Sequence, residues 1–105
     1  MRLYLSGPIA GDKNYRDKFK RAGQALRADG IKDIVNPAEL IGVLSPEATS
    51  WEEYMRIDLA LLDMSDALIL LPGWEKSLGC QREYGYAKAA GKIILEFGEL
   101  KKERK

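Results

Sequence analysis

Residues 67–71 read Ala-Leu-Ile-Leu-Leu, an uninterrupted apolar run that is followed at once by Pro72, Gly73 and Trp74. Five apolar residues without polar alternation are typical of a strand that is buried on both faces. Such strands belong to parallel sheets that have helices packed on either side. The run therefore predicts an α/β fold, and the proline and glycine predict that the strand ends in a loop.

The segments around this run repeat the order of strand, loop and helix. Residues 3–5 form a short β-type run before Ser6-Gly7-Pro8, and Ser50-Trp51-Glu52-Glu53 has the form of a capping box that opens a helix. The other predicted elements are a first helix that Asp12 caps and Asp29-Gly30 ends, a strand at 31–35, an irregular stretch at 37–49, a helix at 78–90 and a strand at 92–97. Strands that alternate with helices predict a single domain of residues 1–105, a three-layer, Rossmann- or flavodoxin-like sandwich around a parallel sheet of four to five strands.

Composition narrows the chemistry that the chain can perform. There are 17 basic and 16 acidic residues, no histidine and one cysteine, with a net charge of +1 at pH 7. The balanced charge predicts that neither a nucleic-acid polymer nor a membrane surface is a partner. The absence of histidine excludes a Ser-His-Asp triad and histidine metal sites. The lone Cys80, with no visible signal peptide or membrane span, predicts a cytoplasmic protein.

A carboxylate interrupts the apolar stripe of the second helix. Trp51, Met55 and Leu62 are spaced to share one helical face, and Asp58 occupies the missing position on that face. One interpretation is a boundary position where Asp58 meets a neighbouring arginine or water. The other is a carboxyl group that points into a pocket, where burial raises its pKa and suits it to acid catalysis.

Glu83 is a second candidate, because it follows the loop that ends the most apolar strand. The amide dipoles at the start of the third helix are expected to favour its ionised form, which suits a nucleophile. The alternative is a glutamate that merely occupies a favourable helix position.

Two loops are expected to meet at the ligand site, residues 6–12 and residues 72–77. In parallel sheets, ligands bind outside the carboxyl ends of the strands, where the strand order reverses. The first loop lacks both the dinucleotide-binding and the P-loop glycine patterns, which favours a small polar ligand over NAD or ATP. Trp74 and Tyr4 are candidates to stack on a base or sugar, or else belong to the core.

Taken together, these segments resemble the nucleoside 2-deoxyribosyltransferase superfamily, particularly a bacterial and phage branch with a Gly-Trp-Glu-x-Ser signature. They are also similar to the 2′-deoxynucleoside 5′-phosphate N-hydrolases. The similarity runs from Tyr4 to the last strand. The motifs that carry it are Tyr4-Leu5-Ser6-Gly7-Pro8-Ile9, Asp58-x7-Asp66 and Gly73-Trp74-Glu75-x-Ser77-x-Gly79-x3-Glu83-x3-Ala87.

The resemblance implies that Glu83 attacks the anomeric carbon, that Asp58 acts on the departing base, and that Tyr4 orients Glu83. Ser77 stands where the transferases have an aspartate and where the monophosphate hydrolases have a serine that contacts phosphate, which favours a nucleotide. The implied substrate-binding residues are Ser6, Gly7, Pro8, Ile9, Gly73, Trp74, Ser77 and Gly79. The resemblance further implies no cofactor, no metal, and a homodimer or larger assembly in which a neighbour completes the site.

The sequence therefore predicts cleavage or transfer at the N-glycosidic bond of a (deoxy)nucleoside or its 5′-monophosphate. This reaction needs a carboxylate and an acid, and the chain has both in Glu83 and Asp58. The alternative is a non-catalytic module of the same fold that binds or senses a nucleotide. Ser77 likewise keeps two interpretations, a helix N-cap or part of a phosphate cradle with Lys76 and the amides of Leu78 and Gly79.

Overall fold

A parallel sheet of four strands forms the centre of the structure, a computed structural model that describes residues 1–103 and the side chains of residues 1–100. The strands are β1 (Leu3–Ser6), β2 (Ile34–Val35), β3 (Ala67–Leu70) and β4 (Ile93–Glu96), in the spatial order β2-β1-β3-β4. The helices are α1 (Tyr15–Ala28), α2 (Trp51–Asp63), α3 (Leu78–Ala89) and α4 (Phe97–Glu103). Because all three strand pairs are parallel, the predicted α/β, Rossmann- or flavodoxin-like fold is confirmed.

Alternate residues of the central strands face opposite sides of the sheet, and helices cover both sides. Leu5 and Ile69 are fully buried on one side, where they share a core cluster with Phe19 of α1. Tyr4 and Leu68 lie opposite each other in the register of β1 and β3 and belong to a second cluster, with side chains of α2 and α3. The three-layer arrangement follows from this alternation. It also directs Tyr4 away from the α1 side.

The irregular stretch adds no fifth strand within residues 1–103. Pro37 opens a short 3-10 turn at Pro37–Leu40, and the Asn36 side chain caps that turn by accepting a hydrogen bond from the Ala38 amide at 3.0 Å. The chain therefore leaves the sheet directly after β2, which is shorter than predicted. Beyond the turn, Ile41 and Leu44 form a single isolated bridge.

The two long helices before β3 begin in different ways. Ser50 and Glu53 form the predicted capping box, in which the Ser50 hydroxyl accepts from the Glu53 amide at 3.1 Å and the Glu53 carboxylate accepts from the Ser50 amide at 2.9 Å. Asp12, in contrast, is not the cap of α1. Its carboxylate accepts from the Asn14 amide at 2.9 Å, so the chain turns once more before the helix begins at Tyr15. None of the helices within residues 1–103 is long and apolar enough to span a membrane.

Trp51 does not join the core, contrary to the stripe predicted for α2. Met55 and Leu62 are buried, but Trp51 is 49% exposed, and the guanidinium of Arg82 lies 5.4 Å above its ring centre. The face of α2 that the stripe defines is thus divided. Met55 and Leu62 pack inside, and Trp51 at the start of the helix is exposed.

Candidate functional site

The two predicted loops border one cavity of about 820 Å³, at the carboxyl ends of β1 and β3. These are the strands at which the order of the sheet reverses, because β1 is followed in sequence by β2 on one side and β3 lies on the other. The floor and rim are formed by residues of both loops, by the N-terminal halves of α2 and α3, and by apolar side chains of α1 and the 37–46 segment. The cavity thus lies where the sequence predicts the ligand site.

Glu83 projects from α3 towards the sheet, where two hydroxyl groups of β1 hold its carboxyl group. Ser6 donates a hydrogen bond to Oε1 of Glu83 at 2.6 Å, and Tyr4 donates a short one to Oε2. Tyr4 and Ser6 are two residues apart on one strand, so they necessarily face the same side of the sheet. Glu83 is only 6% exposed, yet it still lines the cavity. Its carboxyl group therefore has a fixed orientation.

Burial governs the charge of Glu83. Desolvation raises its pKa to about 7, and the nearby carboxylate of Asp58 adds to the rise, while the hydrogen bonds from Ser6 and Tyr4 oppose it. The expectation that the helix dipole would favour the ionised form is wrong. Glu83 is the sixth residue of α3, and the influence of the amide dipoles fades beyond the first turn.

Asp58 lies across the cavity on α2. It is partly buried, and burial raises its pKa to about 6, as predicted. It forms no ion pair within residues 1–100, and Arg82 pairs instead with Glu52 at 3.1 Å. Of the two interpretations of the broken stripe, the structure supports a carboxyl group that faces a pocket.

Tyr4 and Ser6 lie behind Glu83 and are not part of the cavity lining. Tyr4 has no exposed surface and Ser6 is 1% exposed. Burial and the carboxyl groups of Glu83 and Asp58 hold the pKa of Tyr4 far above its ordinary value, so its phenol keeps its proton and remains a donor. Ser6, which is predicted to contact substrate, thus lies outside the cavity lining. Its hydroxyl contacts the carboxyl group of Glu83.

Close packing explains two of the loop glycines. A Cβ atom at Gly7 would lie 3.0 Å from Cβ and Cδ1 of Leu71 and 3.3 Å from Phe19, so a side chain does not fit there. Gly73 has a φ of +88°, and a Cβ atom there would lie 3.2 Å from Pro8. The two loops thus approach each other closely. Of the predicted substrate-binding residues, those that line the cavity are Gly7, Pro8, Ile9, Gly73, Ser77 and Gly79.

Ser77 caps α3 and also lines the cavity. Its oxygen accepts a hydrogen bond from the Cys80 amide at 3.3 Å, which confirms the N-cap. Because the oxygen acts as an acceptor in the cap, the hydroxyl proton can still be donated to a ligand. Lys76 lines the cavity beside it, so this end of the cavity offers a cation, a hydroxyl group and a helix N-terminus.

Trp74 packs on neighbouring side chains and is not part of the cavity lining. Its ring stacks on Tyr84 with centroids 5.1 Å apart, and its indole nitrogen donates to Glu96 at 3.3 Å. Both partners hold the ring against the side of α3 and β4, outside the cavity lining. Trp74 is thus one of the predicted binding residues that do not line the cavity. A 3-10 turn at Trp74–Lys76 turns the side chain away from the cavity.

Sequence reasoning missed the aromatic wall of the cavity. Trp51, Tyr54 and Asp58 line it together from one face of α2, opposite Tyr15 and Phe19 of α1. The spacing of three, four and seven residues along α2 carries this signal, but the predicted stripe of Trp51, Met55 and Leu62 does not include Tyr54. Within the described residues, no group of three Cys, Asp or Glu side chains has the geometry of a metal site.

The fold and the site define a class, a small doubly wound α/β protein with a carboxyl pair in a cavity at the switch point of its sheet. Residues 1–96 match the family described as Domain of unknown function (DUF4406). The chain belongs to that family. None of the curated proteins compared with the chain matches it.

Proposed function

We propose that this protein cleaves or transfers at the N-glycosidic bond of a deoxynucleoside or its 5′-monophosphate, with Glu83 as the nucleophile. One observation carries the proposal. A buried glutamate on α3, held by two hydroxyl donors, and a partly buried aspartate on α2 line the same cavity. Reactions at an anomeric carbon use such a pair, one carboxylate at the carbon and one acid at the leaving group.

In the first step, a carboxylate oxygen of Glu83 bonds to the anomeric carbon as the bond from that carbon to the base nitrogen breaks. The bonding electrons go to the base, which takes a proton from Asp58. The hydrogen bonds from Tyr4 and Ser6 keep the carboxylate in the orientation for attack and support its ionised form. The product of this step is a glycosyl ester of Glu83.

In the second step, water or a second base attacks the same carbon, and the ester bond to Glu83 breaks. The ionised Asp58 then takes the proton of the incoming nucleophile, which restores both carboxyl groups to their starting states. Two successive displacements at one carbon retain its configuration. Water as the acceptor gives hydrolysis, and a second base gives transfer.

The two carboxyl groups titrate as a pair. Asp58 contributes to the raised pKa of Glu83, so the second proton leaves the pair less readily than the first. The reactive form carries one proton, on Asp58, with Glu83 ionised, and it is the less populated of the two singly protonated forms because the pKa of Glu83 is the higher one. With pKa values raised to about 6 and about 7, the singly protonated pair is populated near neutral pH.

The end of the cavity at α3 favours a phosphorylated substrate. Lys76, the Ser77 hydroxyl and the first amides of α3 provide the charge and donors that a phosphate group binds. The chain also resembles the monophosphate hydrolases in having a serine at this place in the order of motifs. This similarity supports a phosphorylated substrate too.

We also propose that a second copy of the chain covers the cavity mouth, as the resemblance implies. Leu78 is 76% exposed and Trp51 is 49% exposed, and both line the cavity. Large apolar side chains exposed together at a binding site are typical of an interaction surface. Light scattering coupled to size-exclusion chromatography measures the assembly directly. A monomer at all concentrations contradicts this part of the proposal.

The function is tested by incubating the protein with deoxynucleosides and their 5′-monophosphates, with and without a second base, and measuring the released or exchanged base by chromatography. We expect release from at least one substrate and a loss of roughly 10⁴-fold or more in Glu83→Ala. Glu99→Gln, an exposed carboxylate on α4, is the matched control and should retain activity.

Tight nucleotide binding without turnover over long incubation would instead favour a binding or sensing module. Full activity in Glu83→Ala contradicts the assignment of the nucleophile.

A further inference from the structure

The phenol of Tyr54 is a buried polar group that the fold does not use. Tyr54 belongs to α2 and its side chain lines the cavity, but its hydroxyl oxygen is inaccessible to solvent and has no hydrogen-bond partner among residues 1–100. Buried hydroxyl groups are nearly always paired in folded proteins. An unpaired one beside a cavity points to a ligand as the missing partner.

Other tyrosines of the chain show the contrast. Tyr4 donates to Glu83, Tyr86 donates to Asp63, and the Tyr15 hydroxyl accepts from the Arg16 side chain at 3.0 Å. Each of these hydroxyl groups has a partner within the protein. Tyr54 combines a buried hydroxyl group that lacks a partner with a side chain that lines the cavity.

The position of Tyr54 on α2 identifies the part of the ligand that it meets. It lies four residues before Asp58, so the two side chains project from adjacent turns of the same helix face. Both face the cavity. A group that takes a proton from Asp58 therefore has the Tyr54 phenol beside it on the same wall, whereas Glu83 and Ser77 approach from α3.

We propose that the Tyr54 hydroxyl hydrogen-bonds the polar edge of the base, next to the atom that Asp58 protonates, and so determines which base is accepted. This inference rests on the proposed function, since Asp58 defines the base end of the cavity. A phenol both donates and accepts, and its ring adds a flat apolar surface, so it suits the edge of a heteroaromatic base. A base without a matching edge atom leaves the hydroxyl unpaired, and the site discriminates against that base.

The test is the Tyr54→Phe variant, which removes one oxygen atom and keeps the ring. Binding of four free bases (adenine, hypoxanthine, cytosine and thymine) is measured by calorimetry for the wild type and the variant. We expect the preferred base to bind about tenfold more weakly to the variant, the least preferred base to change less than twofold, and the four affinities to converge. Tyr86→Phe, which removes a hydroxyl group outside the cavity lining, should keep the wild-type order of affinities.

Equal weakening of all four bases, no change in any of them, or no binding of any base to the wild type would overturn the inference. Thermal unfolding of the ligand-free proteins adds a second measurement. Tyr54→Phe should unfold at the same or a higher temperature than the wild type, because no internal hydrogen bond is lost. A lower temperature would reveal a partner within the protein and overturn the inference too.

Base release is measured on the same preparations. If Tyr54→Phe shows the base-dependent effect but the wild type releases no base, the proposed catalysis is wrong and the binding role of Tyr54 stands. If the wild type releases base but Tyr54→Phe shows no base-dependent effect, the proposed catalysis stands and the role of Tyr54 is wrong.

Discussion

The two walls of the cavity differ in how far the protein satisfies its own polar groups. On the Glu83 wall, formed by β1 and α3, each oxygen of the carboxyl group of Glu83 has a hydroxyl donor and all three side chains are buried. On the α2 wall, Asp58 has no ion pair and the hydroxyl of Tyr54 has no hydrogen bond within residues 1–100. One wall pairs its polar groups internally, and the other keeps polar groups without a partner among these residues.

This difference assigns distinct tasks to the walls. A nucleophile gains from a fixed orientation before the substrate arrives, because its position is set at no further entropic loss. A wall that recognises a leaving group must keep its hydrogen-bonding capacity free until that group is present. Substitutions in one wall at a time therefore separate the two tasks.

The largest effect is expected for Asp58→Asn, which removes the acid from the α2 wall. The rate of base release should fall by roughly 10²- to 10⁴-fold, the usual contribution of a general acid. The wild-type rate should decline as the pair of carboxyl groups loses its last proton, above about pH 7, and the variant should lose this alkaline decline. The acid decline should also move to lower pH, because Asp58 helps to raise the pKa of Glu83.

Rate–pH profiles from pH 4 to pH 9 measure all three effects. Asp17→Asn, an exposed carboxylate on α1, is the control and should keep the wild-type profile. A flat wild-type profile that Asp58→Asn leaves unchanged would remove Asp58 from the mechanism.

An intermediate effect is expected for Glu83→Gln, which should change how the free energy of unfolding depends on pH. The pKa of Glu83 is raised from 4.5 to about 7, so the folded protein binds this proton more tightly than the unfolded chain does. Its contribution to stability is full below about pH 4.5 and is lost as the pH rises through about 7. The free energy of unfolding of the wild type should thus decline between these values, by about 3 kcal/mol for this group.

Urea unfolding at pH 5 and pH 8 tests this expectation. Glu83→Gln, which cannot ionise, should decline less than the wild type. Asp58→Asn should remove a smaller part of the decline, since Asp58 is less buried. If the wild type and Glu83→Gln have the same pH dependence, Glu83 is already ionised at low pH and the burial argument is wrong.

The smallest effect is expected for Ser77→Asp, at the α3 end of the cavity. Aspartate is also a good N-cap, so the free energy of unfolding should change by less than about 0.5 kcal/mol. A carboxylate beside a bound phosphate repels it, so the KM for a monophosphate should rise about tenfold relative to that for the nucleoside. Ser77→Thr keeps the hydroxyl group and should behave like the wild type.

Steady-state kinetics with a monophosphate and the corresponding nucleoside measure the ratio of the two KM values. An unchanged ratio leaves Ser77 with its capping role alone. A wild type that prefers nucleosides from the start contradicts the phosphate assignment.

The sequence predicts the sheet and the position of the site because both depend on local patterns. The apolar run at 67–71 and the breakers after it are enough to place a buried strand and its loop. The capping box at Ser50 is equally local. Asp58 was found because a single charge in an apolar stripe is visible without any structure.

The features of the site that the sequence does not predict depend on contacts between distant parts of the chain. The Ser6 hydroxyl and the Glu83 carboxyl group are 77 residues apart in sequence, and no local pattern shows that they pair. The raised pKa of Glu83 follows from that burial, whereas its helix position suggested the opposite. Trp74 shows the same limit, because the direction of its ring is decided by Tyr84 and Glu96.

The close packing of Leu71 and Phe19 against Gly7 couples the shape of the cavity to substitutions in the core. Gly7 and Phe19 line the cavity, and the site for a Cβ atom at position 7 is already filled by Leu71 and Phe19. A side chain at position 7 therefore requires Leu71 and Phe19 to shift by a few tenths of an ångström, or a smaller residue at one of these positions. Among relatives of this chain, these three positions are expected to vary together, and a new cavity shape can arise through a change in the core that never touches the ligand.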